Sequence, residues 1–94
     1  MIKGIGIFEG KWNCRILYEL IMCKKMRFGE LRAAVPGISN TMLTSTLRGL
    51  EEKGLVKRKQ FNEIPPHVEY SLTESGQAVI PVFDAIGKWS EIYL

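Results

Sequence analysis

Apolar positions in the middle of the chain recur with the spacing of a helix. Leu43, Leu47 and Leu50 share one side of a segment that begins at Ser39 and closes at Gly54. Ser39 is a favourable N-cap, because its hydroxyl can accept a hydrogen bond from a first-turn N–H. Gly54 can take the left-handed conformation that ends a helix. The pattern therefore predicts a helix with one buried stripe.

A shorter amphipathic segment precedes this helix. Phe28, Leu31 and Val35 are its apolar positions, so a helix is predicted over residues 28–35. Pro36 disfavours the helical conformation at the residue before it, and Gly37 can form the turn that follows. Two short helices joined by a tight turn predict a helix-turn-helix.

The pattern changes to a period of two after Gly54. The runs LVKRKQF and HVEYSL are separated by the turn sequence NEIPP, and Val68, Tyr70 and Leu72 alternate with polar residues. A β-hairpin placed directly after a recognition helix is a wing. The expected fold is mainly α with some β (α+β), a winged helix-turn-helix with a two-stranded wing.

The flanking segments complete the expected architecture. A helix from about Lys11, sequence KWNCRILYELIMC, presents one broad apolar face to the core, and residues 24–27 are expected to form a basic loop. The last helix has Thr73 as its N-cap, and Pro81 should kink or divide it. Residues 1–10 mix glycine with apolar side chains and are interpreted as an irregular lead-in that packs on a partner subunit.

The last helix carries more apolar side chains than one small core requires. A homodimer through residues 79–94 is therefore predicted. The interface side chains would be Val79, Val82, Phe83, Ile86, Trp89 and Tyr93.

Composition supports one globular domain over residues 1–94. The chain has 94 residues, of which 46% are hydrophobic and 24% are charged. It lacks an apolar run of the roughly 20 residues that cross a bilayer, and its N-terminus lacks the apolar stretch of a signal peptide. No membrane association is expected, and the expected location is the cytoplasm.

Charge is distributed unevenly. Residues 1–60 contain 12 Lys and Arg against 5 Asp and Glu, whereas residues 61–94 contain 1 against 5. The basic part includes the predicted helix-turn-helix and the first wing strand. This asymmetry favours double-stranded DNA as a partner for that part of the chain.

The outer face of the predicted recognition helix consists of small polar side chains and one arginine. Such side chains can approach base edges and phosphates without like-charge repulsion, although a face that contacts only water is the alternative. Asn40 and Ser39 would contact the DNA backbone near the helix start, and Arg48 would bind a guanine or a phosphate. The predicted DNA contacts are Ser39, Asn40, Thr41, Thr44, Ser45 and Arg48 on the helix, and Lys57, Arg58, Lys59, Asn62 and His67 on the wing.

Other chemistry is sparse. His67 is the one histidine and has no second histidine or cysteine at metal-ligand spacing, so no metal site is predicted. An exposed histidine without function is the alternative to a phosphate contact. No phosphate loop, nucleophile elbow or carboxylate pair is present, so we expect no enzyme activity and no cofactor.

Several short motifs follow one another in a characteristic order and spacing. They are GKW, RFGELR, PGIS, MLT, LRGLEEKGLV, IPPHVEYSLTESG and VIPVFDAIGKW. Together they resemble the HxlR-type transcription regulators, which are winged helix-turn-helix proteins related to the MarR group. The resemblance covers roughly residues 10–90. It implies a homodimer on a pseudo-palindromic operator, with residues 39–53 in the major groove and residues 62–66 as the wing tip.

The cysteines depart from that family. Some HxlR-type regulators respond to oxidants or electrophiles through a cysteine in the N-terminal segment, but residues 1–10 contain none. Cys14 and Cys23 lie on one predicted helix, about 13 Å apart along its axis, which is too far for an intrachain disulfide. Buried structural thiols are the favoured interpretation. An intersubunit redox sensor is the alternative, and unchanged diamide sensitivity of DNA binding after both are replaced by Ser would exclude it.

Two other functions are compatible with the same fold. A winged-helix adaptor would use the polar helix face and the wing to bind another protein. A ligand-binding regulator would hold an effector between the last helix and the core. The sequence does not identify an effector or an operator.

Overall fold

The computed structural model describes residues 10–94. The predicted N-terminal lead-in falls almost entirely outside the described residues. The secondary structure elements are α1 (Asn13–Cys23), β1 (Lys25–Arg27), α2 (Phe28–Ala34), α3 (Asn40–Glu52), β2 (Val56–Phe61), β3 (His67–Leu72), α4 (Glu74–Gln77) and α5 (Ile80–Tyr93).

The sheet has three antiparallel strands in the order β1-β3-β2. The prediction of a basic loop over residues 24–27 is therefore wrong, because residues 25–27 form β1 and pair with β3. Met26 lies opposite Tyr70 and is buried, while Lys25 and Arg27 are exposed. The wing hairpin itself is confirmed, with Val56 opposite Leu72 and Phe61 opposite His67.

The helix-turn-helix is confirmed, with small shifts at its boundaries. The α2 helix ends one residue earlier than predicted, at Ala34, and Gly37 follows in the turn with φ of 89°. The Ser39 hydroxyl accepts a hydrogen bond from the Met42 N–H at 3.1 Å, which caps α3. Gly54 has φ of 77°, as expected of the residue that closes this helix.

The core lies between α1, the helix-turn-helix and one face of the sheet. The predicted stripe of α3 is confirmed, since its three leucines are at most 1% exposed. The alternation predicted for β3 is confirmed for Tyr70 and Leu72, which are buried, whereas Val68 is only partly buried. The fully buried side chains are Ile16, Leu17, Leu20, Leu31, Val35, Leu43, Leu47 and Leu50.

The predicted last helix is divided into α4 and α5. The Thr73 hydroxyl caps α4 by accepting from the Gly76 N–H at 3.0 Å, and it also donates to the Gly54 carbonyl. Pro81 lies in the first turn of α5, where its missing N–H has no cost. No residue of α5 is fully buried, and most of its apolar side chains are exposed, although Phe83 packs against the core. Among residues 10–94, no helix is long and apolar enough to cross a bilayer.

Candidate nucleic-acid interface

The side of α3 that faces away from the core carries the predicted DNA contacts. Thr41, Ser45 and Arg48 are exposed and Thr44 is partly exposed. These side chains line one concave surface together with Asn40, Gly49 and Glu52. The leucine stripe fixes the rotation of α3, because it must face the core. The sequence pattern therefore determines which polar side chains are available to DNA.

Ser39 stands at the N-terminal end of this surface. Its side chain oxygen already accepts the Met42 N–H, so the hydroxyl has a structural role as the cap of α3. The hydroxyl proton can still be donated to a phosphate oxygen. A helix N-terminus also attracts negative charge.

The three consecutive cations of β2 do not point in one direction. Successive side chains of a strand alternate between the two faces of a sheet. Arg58 lines a cavity with Thr44 and Arg48 of the recognition helix. Lys57 and Lys59 lie on the other face of the strand. Of the predicted run, only Arg58 is brought together with the recognition helix.

Glu51 is a site residue that the sequence did not indicate. It lines the same cavity as Arg48 and Arg58, and its Oε1 is buried without a hydrogen-bond partner among the described residues. A carboxylate in the same cavity attracts both guanidinium groups, although no ion pair among the described residues joins Glu51 to either arginine. Because Glu51 follows Arg48 by three residues on the same helix, the sequence weakly indicates that these two side chains are neighbours. Arg58 comes close to them only because β2 folds back along α3.

His67 belongs to a small cluster at the tip end of the wing, where Phe61 and His67 form the strand pair next to the turn. Its ring stacks on Phe61 with centroids 4.6 Å apart, and its Nε2 lies 3.3 Å from Glu69 Oε2. Lys59 Nζ lies 5.0 Å from the centroid of the Phe61 ring. These contacts hold the histidine partly buried, so the expectation that it is exposed is wrong, whereas a phosphate contact by His67 stays a prediction. Asn62 is exposed at the wing tip.

The helix-turn-helix and wing have a counterpart among known families. The model of the HxlR-like helix-turn-helix family matches residues 7–94. The chain belongs to this family.

Its relatives and structural neighbours are described as transcriptional regulators. An uncharacterised helix-turn-helix transcriptional regulator of Methanothermobacter thermautotrophicus is 46% identical over 90 residues, spanning 96% of this chain and 68% of the relative. The crystal structure of a MarR-family regulator from Porphyromonas gingivalis has a TM-score of 0.86 and 45% identity, covering 98% of this chain and 89% of that one. The structure of the redox regulator HypR in its oxidised form has a TM-score of 0.85 and 38% sequence identity to this chain. The match covers 97% of this chain and 93% of HypR.

These matches place the HxlR-like chain among DNA-binding transcriptional regulators. The family resemblance and the winged helix-turn-helix fold predicted from the sequence are both confirmed. The relatives indicate no enzymatic family.

The α5 helix of the HxlR-like chain presents an apolar stripe to solvent. Val82 is 44% exposed, Ile86 is 50%, Trp89 is 54% and Tyr93 is 70%. Their spacing places them along one side of the helix. The two other predicted interface residues, Val79 and Phe83, are partly buried and pack against the core. The stripe is therefore separate from the residues that attach α5 to the domain.

The cysteines are not both buried. Cys23 is exposed at the last position of α1, beyond the last buried residue of that helix, Leu20, so the interpretation of Cys23 as a buried thiol is wrong. Cys14 is partly buried, and desolvation raises the pKa of its thiol. A raised pKa lowers the thiolate fraction and hence the reactivity of Cys14. Both lie on α1 and are unbridged, as predicted.

Proposed function

We propose that the chain is a homodimeric transcriptional regulator that binds a pseudo-palindromic operator sequence-specifically. The observation that carries the proposal is the exposed face of α3, which is rich in small polar side chains and includes a single arginine. A helix with this face fits the major groove, where side-chain hydroxyl, amide and guanidinium groups distinguish base pairs. The family of the chain supplies independent support.

Each polar group on α3 has a role that follows from its position. Thr41, Thr44 and Ser45 would approach base edges from the middle of the exposed face. Asn40 and Ser39 would contact backbone phosphates at the helix start, where the unpaired N–H groups favour anions. Arg48 would bind a guanine edge or a phosphate, and Glu51 would restrain its direction.

The wing would bind the DNA backbone. Arg58 is the cation of β2 nearest to the recognition helix, so it would hold a phosphate beside the major groove. Lys57, Lys59, Asn62 and His67 would contribute weaker backbone contacts from the other face and the tip of the wing. Such contacts position the protein without reading the sequence.

Dimerisation would occur through the apolar stripe of α5. Four large side chains exposed on one helix form a surface that a second copy of the same helix can cover. In a two-fold dimer the two α3 helices would enter successive major grooves, roughly 34 Å apart. An inverted repeat in the operator would mirror this symmetry.

Arg48→Ala should weaken binding to the operator by about 1–3 kcal/mol if the guanidinium contacts a base edge. Binding to random DNA should change little in that case. The measurement is titration of both duplexes at one salt concentration. Equal weakening on the two duplexes would assign Arg48 to a phosphate.

Arg32→Ala is the matched control for this substitution. Arg32 is an exposed arginine in the last turn of α2, outside the concave surface of α3. We expect operator affinity close to that of the unmodified protein. If Arg48→Ala weakened binding to neither duplex, the proposed DNA contact of Arg48 would be excluded.

The runner-up is a winged-helix adaptor that binds another protein. The salt dependence of DNA binding separates the two functions, because phosphate contacts release counterions and make affinity fall steeply with salt. The basic charge of residues 1–60 favours the regulator. A protein without steep salt dependence and without sequence preference would fit the adaptor.

A further inference from the structure

A second cavity lies on the far side of the sheet from the recognition helix. Its volume is about 390 Å³, which is within the range of small-molecule sites. Leu20 and Ile21 from the end of α1, Leu72 from β3 and Ile80 from the start of α5 supply aliphatic walls. No predicted DNA contact other than Lys57 lines it.

Three lysines line the same cavity. Lys25 on β1 and Lys57 on β2 both lie opposite Ser71 of the central strand. The three residues therefore form a row across the sheet, and neighbours in such a row have Cα atoms about 4.5–5.5 Å apart. Two lysine side chains and one hydroxyl therefore belong to the same face of the sheet, and Lys24 lines the cavity as a third lysine.

The positive charge of this cavity is uncompensated. The residues that line it include no Asp or Glu. Among residues 10–94, no ion pair involves any of the three lysines. Like charges held together at a partly enclosed surface repel one another, and an anion placed between them removes that repulsion.

Lys24 has an unusual backbone conformation. It ends α1 with φ of 63° and ψ of −52°, and it is the one non-glycine residue with positive φ in the described part of the chain. Glycine adopts positive φ without the steric cost that a side chain brings. Strained residues of this kind cluster at ligand sites. A lysine at this position is more strained than a glycine would be, but it adds a side chain with an ammonium group to the lining of the cavity.

We propose that this cavity binds an amphipathic organic anion, with an aliphatic body against the leucine and isoleucine walls and an anionic headgroup between Lys24, Lys25 and Ser71. The Ser71 hydroxyl donates to the headgroup, and the lysines supply charge-assisted hydrogen bonds. A carboxylate and a phosphate monoester share this chemistry. The site does not depend on DNA binding, so it can be tested on the free protein.

The test is calorimetric titration of the full chain without DNA. The probes are octanoate, octyl phosphate, octanol and inorganic phosphate. We expect octanoate or octyl phosphate to bind about tenfold or more tightly than octanol and inorganic phosphate, because only the amphipathic anions satisfy both halves of the site. The tighter of the two identifies the preferred headgroup. Equal binding of octanol, equal binding of inorganic phosphate, or no binding of either anion overturns the proposal.

Three variants assign the binding to this cavity. Lys25→Ala should lower the affinity for octanoate or octyl phosphate about tenfold or more, since one charged partner of the headgroup is removed. Lys24→Gly should weaken it similarly while the melting temperature stays the same or rises, because glycine relieves the positive φ. Lys53→Ala is the control, since Lys53 is an exposed lysine outside the cavity. Unchanged binding in both Lys24→Gly and Lys25→Ala would contradict the site.

Discussion

The double substitution Ile86→Asp and Trp89→Asp should convert the proposed dimer to a monomer. Both side chains are about half exposed and belong to the apolar stripe of α5, so the change need not disturb the core. In the dimer, each carboxylate would face an apolar partner surface, where an unpaired charge is strongly unfavourable. Light scattering at micromolar concentration should give the mass of one chain instead of two.

The same variant should bind a two-half-site operator about 10²–10⁴-fold more weakly, because the second half-site contact is no longer intramolecular. Lys88→Asp is the matched control, since Lys88 lies on α5 outside the apolar stripe. Its mass and operator affinity should resemble those of the unmodified protein. A double variant that stays dimeric, or an unmodified chain that is itself monomeric, would exclude this interface.

Gly76→Ala should destabilise the fold by about 1–3 kcal/mol, as overpacked sites do. A Cβ atom on Gly76 would overlap the carbonyl oxygen of Leu55 and would lie 3.2 Å from Leu72 Cβ. That carbonyl accepts the Thr73 N–H at 3.0 Å, so moving it disturbs the junction between α3, the sheet and α4. Each loss of 1 kcal/mol in the free energy of unfolding lowers Tm by about 4–8 °C in a domain of this size.

Thermal unfolding at one protein concentration measures the effect of Gly76→Ala. Gly29→Ala is the control, because a Cβ on Gly29 in α2 meets nothing within 4 Å. Alanine is the better helix former, so Gly29→Ala should leave Tm unchanged or raise it. An unchanged Tm in Gly76→Ala would contradict the prediction, because it would show that the Leu55 carbonyl can move away from the added Cβ without destabilising the fold.

Local patterns were sufficient to predict most of the fold. Ser39 and Gly54 mark the ends of α3, and the leucine stripe fixes which side of α3 faces outward. The strand pattern of β3 and the division of the last helix near Pro81 also follow from neighbouring residues. Each of these features depends on interactions that are close in sequence.

The features that the sequence missed depend on distant partners. The β1 strand has only three residues. It forms a strand because it pairs with β3, which is distant in sequence, so that Met26 lies opposite Tyr70. The cavity that brings Arg48, Glu51 and Arg58 together forms where β2 folds back along α3. A strand implies that its three cations alternate between two faces, but the sequence gave no indication that the face of Arg58 is the one next to α3. Such relations require the packed structure.

Selection of bound sequences from a random duplex pool at physiological salt tests the central proposal most directly. A dimer that presents two α3 helices to successive major grooves should enrich an inverted repeat, with half-site centres about 10 base pairs apart or a multiple of one helical turn. Enrichment of a single half-site would contradict the dimer geometry. No enrichment, with weak and salt-sensitive binding, would contradict sequence-specific recognition by α3.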